Sequence, residues 1–211
     1  MPKKIIGFIK VHIKDNLFIY SLVILCFLIG VSIGGFIIKI INQQQKEELF
    51  YYLKNYLQFF NETELNNYHI FKLSFMNNFK LLILTWISSL FIITFPLIFC
   101  IIIFKGFVIG FTIVLLIENF KLGGLLFFTF AVLFQNIILI IVFIMASVHS
   151  ISFSLNFIKI EFYKKKKTKI NKNLFTYTSM YIVFIALILF SALIEAYISP
   201  ILIQILIKYI L

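Results

Sequence analysis

Between Leu81 and Ile117 the chain runs 37 residues with a single charge, Lys105, and the stretches Leu17 to Ile41, Gly123 to Phe157 and Tyr181 to Leu211 are almost as apolar. A helix needs about 20 apolar residues to cross a hydrocarbon slab roughly 30 Å thick. Only helices and closed barrels satisfy every backbone N–H and C=O inside that slab. The alternation that barrel strands require is absent. The chain therefore reads as an all-α, polytopic helical bundle, a single integral membrane domain over residues 1–211 whose first partner is the lipid bilayer.

The formal charge is +11, yet all nineteen basic residues are Lys. Lys lacks the planar fork that reads phosphates and base edges bidentately, so no nucleic acid is expected. Lys without Arg, beside heavy use of Phe, Ile and Asn, is the residue choice of an AT-rich genome. The basicity serves instead as a topology marker. A basic N-terminus, residues 1–16, carries Lys3, Lys4, Lys10 and Lys14, and a basic loop, residues 158–177, carries seven lysines against Glu161. Both are expected in the cytoplasm by the positive-inside rule. Residues 42–80 balance four lysines against four glutamates and are expected outside.

Placing both basic segments on one side requires an odd number of crossings after the outer segment. The reading is five spans: Leu17–Ile41, Leu81–Phe104, Lys105–Leu122, Gly124–Phe153 and Thr178–Ser199. The third is the weakest, since about 18 residues give roughly 27 Å, with Lys105 and Glu118 snorkelling from its ends. A very tight turn would join spans two and three. The first apolar stretch has no small-residue cleavage site and stays as an anchor. The expected arrangement is a multi-pass cell-membrane protein with a cytoplasmic N-terminus and an extracytoplasmic C-terminus.

In the outer segment Leu49, Leu53, Tyr56 and Phe60 recur at helical spacing, which predicts an amphipathic helix. Asn61 with Glu64 reads as a capping box for a second helix, whose Tyr68, Phe71, Phe75 and Phe79 lead into span two. The plain reading is an interfacial hairpin that shields the span ends. The functional reading is a docking surface, because Tyr52, Tyr56 and Phe60 are of the aromatic types enriched at interfaces, and Glu195 and Tyr197 sit where span five emerges on the same side. Ile5, Ile9 and Ile13 line one side of a short basic helix suited to anionic headgroups. Ser199–Pro200 suits the start of a last helix.

Within the spans, the pairs Gly30 with Gly34 and Gly106 with Gly110 have the small-xxx-small spacing that lets helix backbones approach, either inside the monomer or in a homo-oligomer. Pro96 is expected to kink span two. Gln135 and Asn136 fall near mid-bilayer in span four, as interhelical hydrogen bonds or as a polar lining. Glu195 is a functional candidate, as intramembrane acids are; Lys105 is not expected as its partner, because it is placed at the opposite face of the membrane. Catalysis finds no support. Asp15 is the lone aspartate, His12, His69 and His149 are scattered, and no metalloprotease, nucleophile-elbow or phosphate-loop motif occurs. No enzyme activity, cofactor or metal is expected.

Five strings bear on family. They are Gln45-Lys46-Glu47-Glu48-Leu49 with Tyr51-Tyr52-Leu53; Ser74-Phe75 with Asn78, Lys80 and Trp86; Lys105-Gly106 with Gly110-Phe111-Thr112; Gln135-Asn136; and Glu195-Ala196-Tyr197-Ile198-Ser199-Pro200. In these the chain resembles the stage II sporulation protein M family over nearly its whole length. Phe134 stands where Pro usually leads the Gln–Asn pair, which leaves a kink in span four open. The resemblance implies a non-enzymatic membrane scaffold of the engulfment machinery. It would recruit or anchor two peptidoglycan-degrading partners, stage II sporulation proteins D and P, at the septal or engulfing membrane of the mother cell during endospore formation. The alternative, from another class, is a small permease or transporter membrane subunit with Gln135, Asn136 and Glu195 along its pathway; an odd span count without a visible repeat speaks against it.

Overall fold

The computed structural model describes residues 14–62, 66–91, 95–162 and 168–210, and its regular elements are all helical. They are α1 (Leu17–Ile40), α2 (Gln43–Glu62), α3 (Asn67–Leu90), α4 (Phe95–Phe120), α5 (Leu122–Phe127), a π-helical segment (Phe128–Leu133), α6 (Phe134–Phe162), α7 (Thr168–Tyr197) and α8 (Ser199–Ile210). Five stretches are long and apolar enough to cross a membrane: Leu17–Ile40, Asn67–Leu90, Pro96–Phe120, Leu122–Asn156 and Leu174–Leu206. This is an all-α, multi-pass membrane protein. Its outward faces carry Leu25, Phe36, Ile182 and Phe190, side chains that suit lipid rather than water.

In the long apolar run one helix ends at Leu90 and the next begins at Phe95, so Lys105 does not mark the boundary. Phe91 is extended at φ −113° and ψ 123°, and α4 begins at Phe95 with Pro96 in its first turn. There the missing N–H is no loss, and the residues ahead of a proline are biased away from helix. Pro96 therefore starts a helix and does not kink one. Spans two and three are α3 and α4, of 24 and 26 residues, so the third is not short. Lys105 moves from a span end to the middle of α4.

Residues 67–80, expected outside the membrane as a helix leading into span two, form one helix with it. The cap of α3 is Asn66, whose side chain accepts the His69 N–H at 3.2 Å. Asn61 instead lies in the last turn of α2, and Glu64 falls outside the described residues. So do the basic stretch Lys3–Lys10 and the Lys164–Lys167 run. The tight connection comes one span later than expected, where Lys121 alone, at φ 51°, joins α4 to α5.

α1 packs chiefly on α4, and the four glycines explain how. A Cβ on Gly30 or Gly34 would strike the Ile103 or Phe107 carbonyl of α4, and one on Gly106 or Gly110 would strike the Phe27 or Val31 carbonyl of α1, all well under 3.0 Å. Each pair admits the other helix's backbone, so both motifs are used within the monomer. The main core gathers Val23, Leu82, Ile102, Phe143, Phe184 and Ile188 from α1, α3, α4, α6 and α7.

Span four departs from regular helix even without a proline. The chain takes a π-helical turn at Phe128–Leu133, and two carbonyls in or just after it accept from side chains. Asn136 Nδ2 donates to Val132 O at 2.9 Å, and Ser191 Oγ of α7 donates to Gln135 O at 3.1 Å.

Candidate functional site

A chain of polar groups runs from the middle of the bundle to the end that carries α2. Lys105 Nζ of α4 donates to Asn78 Oδ1 of α3 at 2.5 Å and lies 4.5 Å from the centre of the Phe143 ring. Asn78 Nδ2 donates to Ser74 O at 3.0 Å, one turn back along α3. Ser74 Oγ donates to Glu195 Oε2 of α7 at 2.5 Å. Ser74 and Asn78 are buried. Lys105 and Glu195 act on each other electrostatically. A charge taken into lipid is held only by such partners, and here two neutral side chains on one helix face bridge a cation to a carboxylate.

The carboxylate end of this chain meets α2. Although the Tyr56 ring is largely exposed, loss of water around its hydroxyl, with the negative charge of Glu195 second, pushes the phenol pKa up. Farther along, Leu53 and Leu57 of α2 share an apolar cluster with Ile203 and Leu206 of α8 and with Leu116, Phe127 and Phe128 beneath them. Lys46 Nζ reaches Glu118 at 3.2 Å, tying the start of α2 to the end of α4 beside an open cleft of about 360 Å³. So α2 and α8 are seated side by side on one end of the bundle. Tyr51, Tyr52 and Tyr56 of α2 and Tyr197 of α7 stay 64, 71, 55 and 54 % exposed there.

A second polar cluster lies toward the other end. Ser89 Oγ donates to Tyr177 Oη at 2.5 Å, Ser150 Oγ and Tyr181 Oη are 2.5 Å apart, and the two tyrosine hydroxyls bond at 3.2 Å. His149 stacks on Tyr177 at 5.1 Å, and Phe153 stacks on it at 4.1 Å. α3, α6 and α7 are thus joined by hydroxyls that satisfy one another where no water competes.

Both clusters sit within the stretch that a family model covers. The family described as Stage II sporulation protein M matches residues 23–200. The chain belongs to that family. Membership makes it a sporulation-related membrane protein. No curated protein and no solved structure matches it.

The residues singled out from the sequence of this family member separate into three groups. Tyr52, Tyr56 and Tyr197 lie on the α2 end; Phe60 is in α2, but its side chain lies outside the described residues. Glu195, expected on the same surface, turns inward to Ser74. Its link to Lys105, which the sequence disfavoured, follows from the displaced helix break. Gln135 Oε1 accepts from Ser199 Oγ at the start of α8, so it joins two helices, while Asn136 serves its own backbone. Ser74, Asn78 and Lys105 were missed as a site although all three stand in the strings that carry the family resemblance. Tyr177, Tyr181, Ser89 and Ser150 left only a weak signal, hydroxyls recurring at helical spacing inside otherwise apolar spans.

Proposed function

We propose that this protein is a non-enzymatic scaffold of the engulfment machinery, holding the peptidoglycan-degrading stage II sporulation proteins D and P at the septal membrane during endospore formation. The observation that supports it most is the α2–α8 end. Two helices are seated there as one body by Leu53, Leu57 and Ile203, and they present a row of exposed tyrosines. Rigid aromatic side chains on a preorganised surface cost little entropy to bury and commonly dominate binding energy. By the lysine distribution this end faces the peptidoglycan.

Paired Tyr52→Ala and Tyr197→Ala changes test the proposal. The variant should accumulate in the membrane at wild-type abundance. On purification from sporulating cells it should retrieve at least tenfold less of both partners, the effect of losing about 1.4 kcal/mol or more of interface energy. Normal retrieval of both hydrolases with engulfment arrested would remove the scaffold reading. The buried chain from Lys105 to Glu195 is the observation that favours a small permease subunit. That reading would take over if Glu195→Gln, at full abundance, kept both partners yet blocked engulfment.

A further inference from the structure

α3 is by far the least hydropathic of the five spanning stretches, and its polar side chains do not all turn toward the bundle. Ser74, Asn78, Thr85, Ser88 and Ser89 are buried on one side. His69, Lys72, Asn77 and Lys80 are exposed on the other. At about 100° per residue they share an arc with the exposed Leu84 and Ile87. Lys80 stands about 13 residues, roughly 20 Å, from the start of α3 at Asn67 and about 10 residues from its end. A lysine stem reaches roughly 6 Å, too short to bring the ammonium from there to either headgroup layer of a 30 Å slab. Among the described residues no side chain bonds to Lys72 or Lys80.

A second copy of the chain cannot complete this face. Apart from Glu195, its acidic residues lie in α2, between helices or at the ends of spans. Glu195 is near the end of α7, already bonded by Ser74. An opposite charge at the depth of Lys80 must come from elsewhere. We infer that this face of α3 seats a transmembrane helix of a different protein, one that carries a carboxylate at mid-bilayer depth opposite Lys80. Asn77, on the same arc, offers that helix a second hydrogen bond. The seat follows from α3 alone; only the partner's identity rests on the scaffold reading.

The test uses the full-length protein in phosphatidylcholine vesicles and three synthetic single-span leucine-rich helices, identical except for Glu, Gln or Leu at the midpoint. Association is read by energy transfer from a donor on the protein to an acceptor on the helix. The Glu helix should bind roughly tenfold tighter than the Leu helix, the scale of an interhelical polar bond in lipid, with the Gln helix between them. Lys80→Leu should abolish the preference, and Lys80→Gln, which keeps a donor without the charge, should lose the Glu-over-Gln difference. Lys72→Leu, nearer the surface, should keep the preference. Equal binding of all three helices overturns the inference, as does a Glu preference that survives Lys80→Leu. Higher thermal stability of Lys80→Leu with unchanged helix binding also overturns it, since that marks a lysine facing lipid. If the Glu preference stands while neither hydrolase co-purifies, the seat is retained and the scaffold reading fails.

Discussion

Lys105→Met, Glu195→Gln and the two together form a double-mutant cycle on the buried polar chain. The cycle separates a charge pair from a row of independent hydrogen bonds. Each charge is 2.5 Å from its neutral partner, and those partners are one helical turn apart, which sets the charges roughly 8 Å from each other. At an effective dielectric of about 20, unit charges at that distance attract by about 2 kcal/mol. Each single variant loses that attraction; Lys105→Met also loses a hydrogen bond worth about 0.6 to 1.7 kcal/mol in a membrane protein and should cost roughly 3 kcal/mol, while Glu195→Gln, whose amide oxygen still accepts from Ser74, should cost roughly 2 kcal/mol. The double variant loses the attraction once, so its cost should fall about 2 kcal/mol short of the sum. Reversible denaturant unfolding in mixed micelles, followed by tryptophan fluorescence from Trp86, would measure all four corners. Coupling below about 0.5 kcal/mol, the usual limit of additivity, would refute the argument and leave the two residues as separate polar contacts. The same geometry makes Glu195→Lys a damaging change, because it would aim a second cation at Lys105.

Three further outcomes follow from the fold. Gly110→Ala should destabilise the protein by about 1 to 3 kcal/mol, because its Cβ meets backbone of α1; Gly35→Ala, whose nearest neighbour is the Val114 side chain at 3.1 Å, should cost clearly less, and equal losses in thermal unfolding would contradict the interlock. Lys121→Gly should raise stability by roughly 1 kcal/mol, since glycine adopts φ 51° without the penalty an L side chain meets there; a lower melting temperature would count against the one-residue turn. With Cys26 and Cys100 removed, a cysteine at Asn55 should react with a membrane-impermeant thiol reagent in intact cells and one at Lys166 should not. Labelling at Lys166 would reverse the assigned sidedness.

The number of spans was legible because lysine-rich segments and parity constrain it without any knowledge of packing. The boundary between spans two and three was not. From Leu81 to Phe104 hydropathy alone is continuous, and the deciding signal was the backbone preference around Pro96, which was read as a kink inside a helix. That one misplacement carried Lys105 to a membrane face and so hid the site: with one helix ending at Leu90 and the next starting at Phe95, Lys105 and Asn78 come to the same depth. The glycine pairs were legible as contacts, but their partners were not, because spacing shows that a backbone approaches and not whose it is. Tyr52 and Tyr197 could be placed on one end by topology. That α2 and α8 touch required Leu57 and Ile203 to be seen in one cluster, a pairing between residues far apart in the chain.

The interlock of α1 with α4 also bears on how the molecule is made. Spans enter a membrane in the order of synthesis, and helices associate afterwards. α1 is the first of them, yet the backbone that its glycines admit belongs to the third span, Gly106 and Gly110 of α4, and α2 and α3 are synthesised in between. The earliest helix must therefore wait in the bilayer with its closest contact surface unfilled until α4 has left the ribosome. Assembly proceeds by capture of a late arrival, not by zipping neighbour onto neighbour, and a nascent chain halted before Ile103 would hold every residue of α1 and still lack the contact that fixes it.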